Sequence, residues 1–111
     1  MKLKISDVTW KIRLLTVDKY IAEYGDDSRA ITDVHAHTVD FRRDIVTLEL
    51  VRHELVHCYF ALAMVTSSQL TMDQTEEVFA ELMSKYGEQY IQNSRKVFNY
   101  LQKRMKINEK V

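Results

Sequence analysis

From Asp44 to Val65 nearly every helical turn carries Ile, Leu, Val or Phe, and neither Gly nor Pro interrupts the run. A helix that is apolar on most of its sides must be buried on most of its sides. The segment therefore predicts a long central helix, capped by Asp44, with the rest of the chain packed around it. The material to do this lies on both flanks. Val8–Thr16 is rich in β-branched and aromatic residues and partly alternates, which predicts a strand. Val17–Tyr24 reads as a short helix ended by Gly25-Asp26-Asp27, and Ala30–Val34 and His37–Arg42 as two further strands joined tightly through His35 and Ala36.

After the central helix, Thr66–Thr71 has the composition of a loop. A helix capped by Thr71 or Asp73 is expected to run to Tyr86, where Gly87 breaks or kinks it. Glu88 to about Met105 forms the last helix, with Tyr90, Ile91, Val97, Phe98 and Leu101 as its apolar stripe, and the tail from Ile107 frays. Strands followed by helices define an α+β domain. With 111 residues, two Gly and no Pro, the chain has no evident linker, so residues 1–111 are read as one domain.

Charge and cysteine content narrow the function classes. Sixteen Lys and Arg balance sixteen Asp and Glu, which argues against a nucleic-acid partner, since such binding rests on displacing counterions with a basic excess. The basic run Gln102–Lys106 is read as cations at a helix C-terminus. No apolar run reaches the ~18–20 residues that span a bilayer. Charges scattered through the first fifteen residues leave no apolar centre for a signal peptide. One cysteine cannot form an internal disulfide, so the expected compartment is reducing and cytoplasmic.

The chemistry sits in the central helix, at His53-Glu54-Leu55-Val56-His57, an H-E-x-x-H motif. His53 and His57 are one turn apart, so both imidazoles point the same way and can share an ion. Glu54 lies about 100° around the axis, placed to take a proton from water at the ion without ligating it. Residue frequencies give the motif a chance occurrence of about 0.01 in a chain of this kind. The bland alternative is two partly buried histidines flanking a solvated Glu.

A catalytic zinc site commonly has three protein ligands and one open position. No histidine follows His57, so the third ligand is sought among Glu76, Glu77 and Glu81 on the next helix. The helical period puts Glu76 on the arc that carries Phe79, Ala80 and Met83, and Glu77 outside it. Glu76 is the first choice and Glu77 the fallback. The alternative is a pair of acids favoured at a helix N-terminus by the macrodipole alone.

The motif helix, followed after a loop by a helix opening with Glu-Glu, resembles the gluzincin-type zinc metallopeptidases. The nearer likeness is to small phage and mobile-element proteins related to the ImmA/IrrE metallopeptidases. It covers about Ala30 to Gly87 and rests on Ile31-Thr32-Asp33, Thr38-Val39-Asp40-Phe41, HELVHCYF and EEVFAELMSKYG. The resemblance implies a minimal zincin-like α+β domain, with a small N-terminal sheet packed on the motif helix and further helices after it. It implies a Zn²⁺ cofactor and hydrolysis of a peptide or protein substrate by a zinc-bound water that Glu54 activates. In such proteins an extended peptide lies along an exposed edge strand before the motif helix. His37–Arg42 holds that position, so Thr38, Val39, Asp40 and Phe41 are the expected substrate-binding residues. The alternative is a catalytically inactive protein of this fold that acts by binding a host or phage protein.

Four residues qualify by type as oxyanion stabilisers: His35, His37, Tyr59 and Tyr86. Core packing is the simpler reading of the two tyrosines, and a solvated turn that of the histidines. Cys58, rotated from His57, is read as a small core residue. Trp10 is read as cover for the sheet–helix interface.

Overall fold

A computed structural model of the chain describes residues 1–63 and 70–109. Its elements in chain order are β1 (Lys2–Ile5), β2 (Val8–Leu15), α1 (Val17–Tyr24), β3 (Ala30–Asp33), β4 (Thr38–Arg42), a single 3₁₀ turn at Arg43–Ile45, α2 (Leu48–Leu62) and α3 (Met72–Glu109). The architecture is α+β: one four-stranded mixed sheet, in the order β1-β2-β4-β3, and three helices.

The sheet alternates by residue, so one face meets α2 and α3. Leu3, Ile5, Trp10, Ile12, Val39 and Phe41 form that face and pack with Val51, Leu55, Cys58 and Tyr59 of α2 and Val97 and Leu101 of α3. Trp10 is buried at this interface as expected, and Cys58 is a core residue. β1 is a strand that the sequence reading overlooked. Its Lys-Leu-Lys-Ile alternation exposes both lysines and buries Leu3 and Ile5, a period-2 signal only four residues long.

The register decides which strand is free. β1 and β3 are each antiparallel to their neighbours, while β2 and β4 run parallel, with Lys11 opposite Thr38 and Leu15 opposite Arg42. Thus β4 is an inner strand, paired on both sides, and β1 and β3 are the two edges, of which β3 is the one beside β4. The β3–β4 connection is a four-residue turn, Val34 to His37, rather than two residues. Asp33 Oδ1 accepts the backbone N–H groups of His35 and Ala36, both at 3.0 Å, and His37 takes the left-handed φ of 56°.

The central helix is shorter than its apolar run. Its cap is Thr47, whose hydroxyl accepts the Leu50 N–H at 3.1 Å. Asp44 lies in the preceding 3₁₀ turn and pairs with Arg42. Met64 and Val65, placed at its end by the sequence, fall outside the described residues, as does most of the expected loop. Thr71 does cap α3: its hydroxyl accepts from Gln74 N–H while Gln74 Oε1 accepts from Thr71 N–H, a reciprocal capping box.

The two helices expected after that loop are one. Gly87 sits inside α3, which continues unbroken to Glu109 and past the point where fraying was expected. A mid-helix glycine costs only about 1 kcal/mol. Here the rings of Tyr86 and Tyr90, on either side of Gly87, both pack against Tyr59 of α2, and that packing outweighs the propensity.

Candidate metal centre

α2 lies against β3, with its motif on the side facing that strand. His53 and His57, on consecutive turns, are exposed, and their rings meet edge to face with centroids 5.3 Å apart. Glu54 is different: it is only 5% exposed. Thr32 of β3, on the same sheet face as Val39, donates its hydroxyl to Glu54 Oε1 at 2.9 Å and lies 3.3 Å from the Glu54 carbonyl oxygen. Glu54 Oε2 is 3.8 Å from His53 Nε2. One potential ligand atom from each of His53, Glu54 and His57 lies within 4.8 Å of the others.

The motif helix is held in place from behind. Tyr90 of α3 donates to the Arg52 carbonyl at 2.9 Å. Tyr59 donates to Gln89 Oε1 at 2.9 Å and accepts from Asn93 Nδ2 at 3.0 Å. These bonds leave the Tyr59 hydroxyl committed inside the helix pair, and burial raises its pKa. Tyr86 packs against the same ring. Both tyrosines are packing residues, as the simpler reading had it. His37 stacks edge-on against Trp10 at 5.2 Å and His35 lies exposed in the β3–β4 turn. Neither belongs to the metal-sized group.

The chemistry of the donor set fits a divalent transition ion. Two imidazoles one helical turn apart, beside a carboxylate, are the nitrogen and oxygen donors that borderline metals take. Cys58 adds no ligand. Burial is the main cause that pushes its thiol up to about 12, so the thiolate that a metal requires is disfavoured.

Two expectations about the site need correction. Glu76 and Glu77 are both exposed on the first turns of α3 and are not part of the group formed by His53, Glu54 and His57. Further along α3, Ser94, Val97 and Leu101, which share the helical arc of Glu76, are buried, whereas Phe79 and Ala80 near it are exposed. The fault is axial. α3 runs antiparallel to α2 with Tyr59 set against Tyr86 and Tyr90 and Phe60 beside Phe79, so Glu76 lies toward and beyond the C-terminal end of α2, away from the level of His57. Met72 and Phe79, on the same arc, are 79% and 46% exposed.

The second correction concerns Thr38, Val39, Asp40 and Phe41. All four lie on β4, whose hydrogen-bonding edges are taken by β2 and β3, so no extended peptide can pair there. Val39 and Phe41 are core. Asp40 is buried on the opposite sheet face, where it accepts Arg13 Nε and Nη2, both at 2.6 Å, and the Tyr24 hydroxyl. The free edge beside the motif is β3. At its start, Arg29 and Ala30 line a groove of about 330 Å³ together with Glu49, Leu50, His53 and Glu54.

Thr32 is the site residue that the motif did not reveal. A glutamate inside so apolar a helix needs a donor, but its identity depends on how α2 packs on β3. No known family pattern, characterised protein or solved structure matches this chain.

Proposed function

We propose that this chain is a zinc-dependent metallopeptidase of minimal zincin-like build, related to the ImmA/IrrE metallopeptidases. The observation that carries the reading is the assembled trio: two exposed imidazoles that share an approach, beside a buried carboxylate fixed by Thr32. His53 and His57 are the residues that would hold the ion. When bound, zinc supplies Lewis acidity, polarising a scissile carbonyl and acidifying water.

The chain's own part is to position substrate and to move a proton. Glu54 Oε2, the oxygen not engaged by Thr32, accepts a proton from the attacking water as the O–C bond forms. It then delivers that proton to the amine nitrogen as the C–N bond breaks. An extended peptide added to the free edge of β3 passes beside the motif, held in register by backbone pairing. The Arg29–Glu49 groove lies next to it and offers both charges to a polar side chain. The buried, unpaired Cys58 suits a cytoplasmic site of action. No helix among the described residues is long and apolar enough to cross a membrane.

Glu54→Gln tests the reading. The variant is expected to keep wild-type metal content and lose hydrolysis of a fluorescein-labelled casein. Equal rates in the two proteins would rule out the mechanism. One observation favours a second reading: among the described residues only two histidines and Glu54 come within metal-binding reach. A non-catalytic protein that uses the β3 edge to bind another protein would show partner binding untouched by Glu54→Gln and no casein hydrolysis in the wild type.

A further inference from the structure

Glu54 stands between two roles. Its free oxygen, Oε2, lies 3.8 Å from His53 Nε2, so a small advance of the carboxylate toward the imidazoles would bring it onto an ion that they hold. A carboxylate bound to the ion could not serve as the proton acceptor. What separates the roles lies on another element. Thr32, 22 residues earlier and on the edge strand, donates to Glu54 Oε1 at 2.9 Å. Its hydroxyl also lies 3.3 Å from the Glu54 backbone carbonyl, an anchor on α2 that does not depend on the side chain. Thr is β-branched, with few χ1 choices, so this hydroxyl is held in place before Glu54 meets it. The carboxylate is buried, which strengthens the bond relative to one in water.

We infer that Thr32 is a positioning residue that sets the role of Glu54: by holding Oε1 against β3 it keeps the carboxylate off the ion and available as a proton acceptor. The inference rests on the metallopeptidase reading, and it adds a function for the edge strand itself. The strand that presents a pairing edge to the peptide also holds the base.

Cobalt(II) in place of zinc tests this directly, because its visible absorption reports the number and type of ligands. The proteins compared are the wild type, Thr32→Val, which keeps the shape and removes the donor, and Thr32→Ser, which keeps the donor. Thr32→Ala serves as a second donor-free variant in case the valine folds poorly. Removing the donor is expected to change the cobalt spectrum as Glu54 joins the ion, and to lower casein hydrolysis about tenfold or more, the scale at which partners of metal-site residues act. Thr32→Ser should match the wild type in both respects. Adding Glu54→Gln to Thr32→Val should return the spectrum to the wild-type form. Wild-type spectra and rates in both donor-free variants would overturn the assignment. Absence of cobalt binding in the wild type would instead overturn the metal site and this inference together. If the wild type binds cobalt but cleaves nothing, the peptidase reading fails, while the spectra still decide whether Thr32 restrains Glu54.

Discussion

Asp40 was expected at a substrate edge and is instead the centre of a buried ion pair, so its mutational signature should be one of stability alone. The two partners are unequal: the Asp40 side chain is 1% exposed and that of Arg13 is 38% exposed. The bidentate contact raises the Arg13 pKa, chiefly through its hydrogen bond to Asp40. Each charge-assisted bond contributes on the order of 1.5–3 kcal/mol, and the three that meet on one carboxylate are not additive. Asp40→Asn leaves behind a guanidinium that water can reach, so solvation offsets part of the loss and the cost is about 2–3 kcal/mol. Arg13→Met leaves a buried carboxylate with Tyr24 as its remaining partner, and the cost is about 3–5 kcal/mol. Arg13→Met combined with Asp40→Leu should cost less than Arg13→Met alone, since no uncompensated charge remains. Urea unfolding followed by the fluorescence of Trp10, the single tryptophan and a buried one, reads all four proteins. Metal content should be unchanged in each. A larger loss for Asp40→Asn than for Arg13→Met would refute the reasoning, as would losses below about 1 kcal/mol for both.

Further outcomes follow from other features of the fold. Gly87→Ala should stabilise the protein by about 0.5–1 kcal/mol, because alanine is the better helix former and its Cβ would meet nothing within 4 Å; a destabilised variant would mean that α3 does not continue through this position. Glu76→Ala and Glu77→Ala should each leave cobalt affinity within about twofold of wild type, since neither acid lies in the metal-sized group. A loss of about tenfold in either would show that the first turns of α3 reach the ion. Burial raises the pKa of Cys58, ordinarily 9.0, and of Tyr20, Tyr24, Tyr59 and Tyr90, ordinarily 10.0. A group whose folded pKa is raised contributes stability that is complete below its unfolded pKa and is lost as pH rises through the folded value. Urea midpoints should therefore hold up to about pH 9 and fall above it, less steeply in Tyr24→Phe. A flat alkaline profile would contradict the burial of these groups.

The motif and the helix that bears it were legible because both depend on local spacing. Apolar residues around Leu55 demanded burial, and the one-turn interval between His53 and His57 needed no tertiary information. β3 and β4 were found nearly to the residue, from β-branched runs between turn residues. What escaped was long-range. Nothing local distinguishes an inner strand from an edge, so the Thr38–Phe41 segment was assigned the wrong one, although the burial of Asp40 follows from an arginine 27 residues away. Gly87 was read by propensity, while Tyr59, distant in sequence, packs against both neighbouring tyrosines and keeps the helix whole. Glu76 was placed by angle around α3, which the period gives, and missed by height along it, which depends on how the helices align. Thr32 belongs with these: its role exists only once β3 lies beside α2.

The central claim is that His53 and His57 hold a metal ion. Elemental analysis of untagged protein purified without chelator, beside His53→Ala and His57→Ala, tests it most directly. The account predicts close to one zinc per chain in the wild type and loss of that zinc in both variants. Protein that contains no zinc and takes up none when it is supplied, or variants that retain the wild-type content, would contradict it.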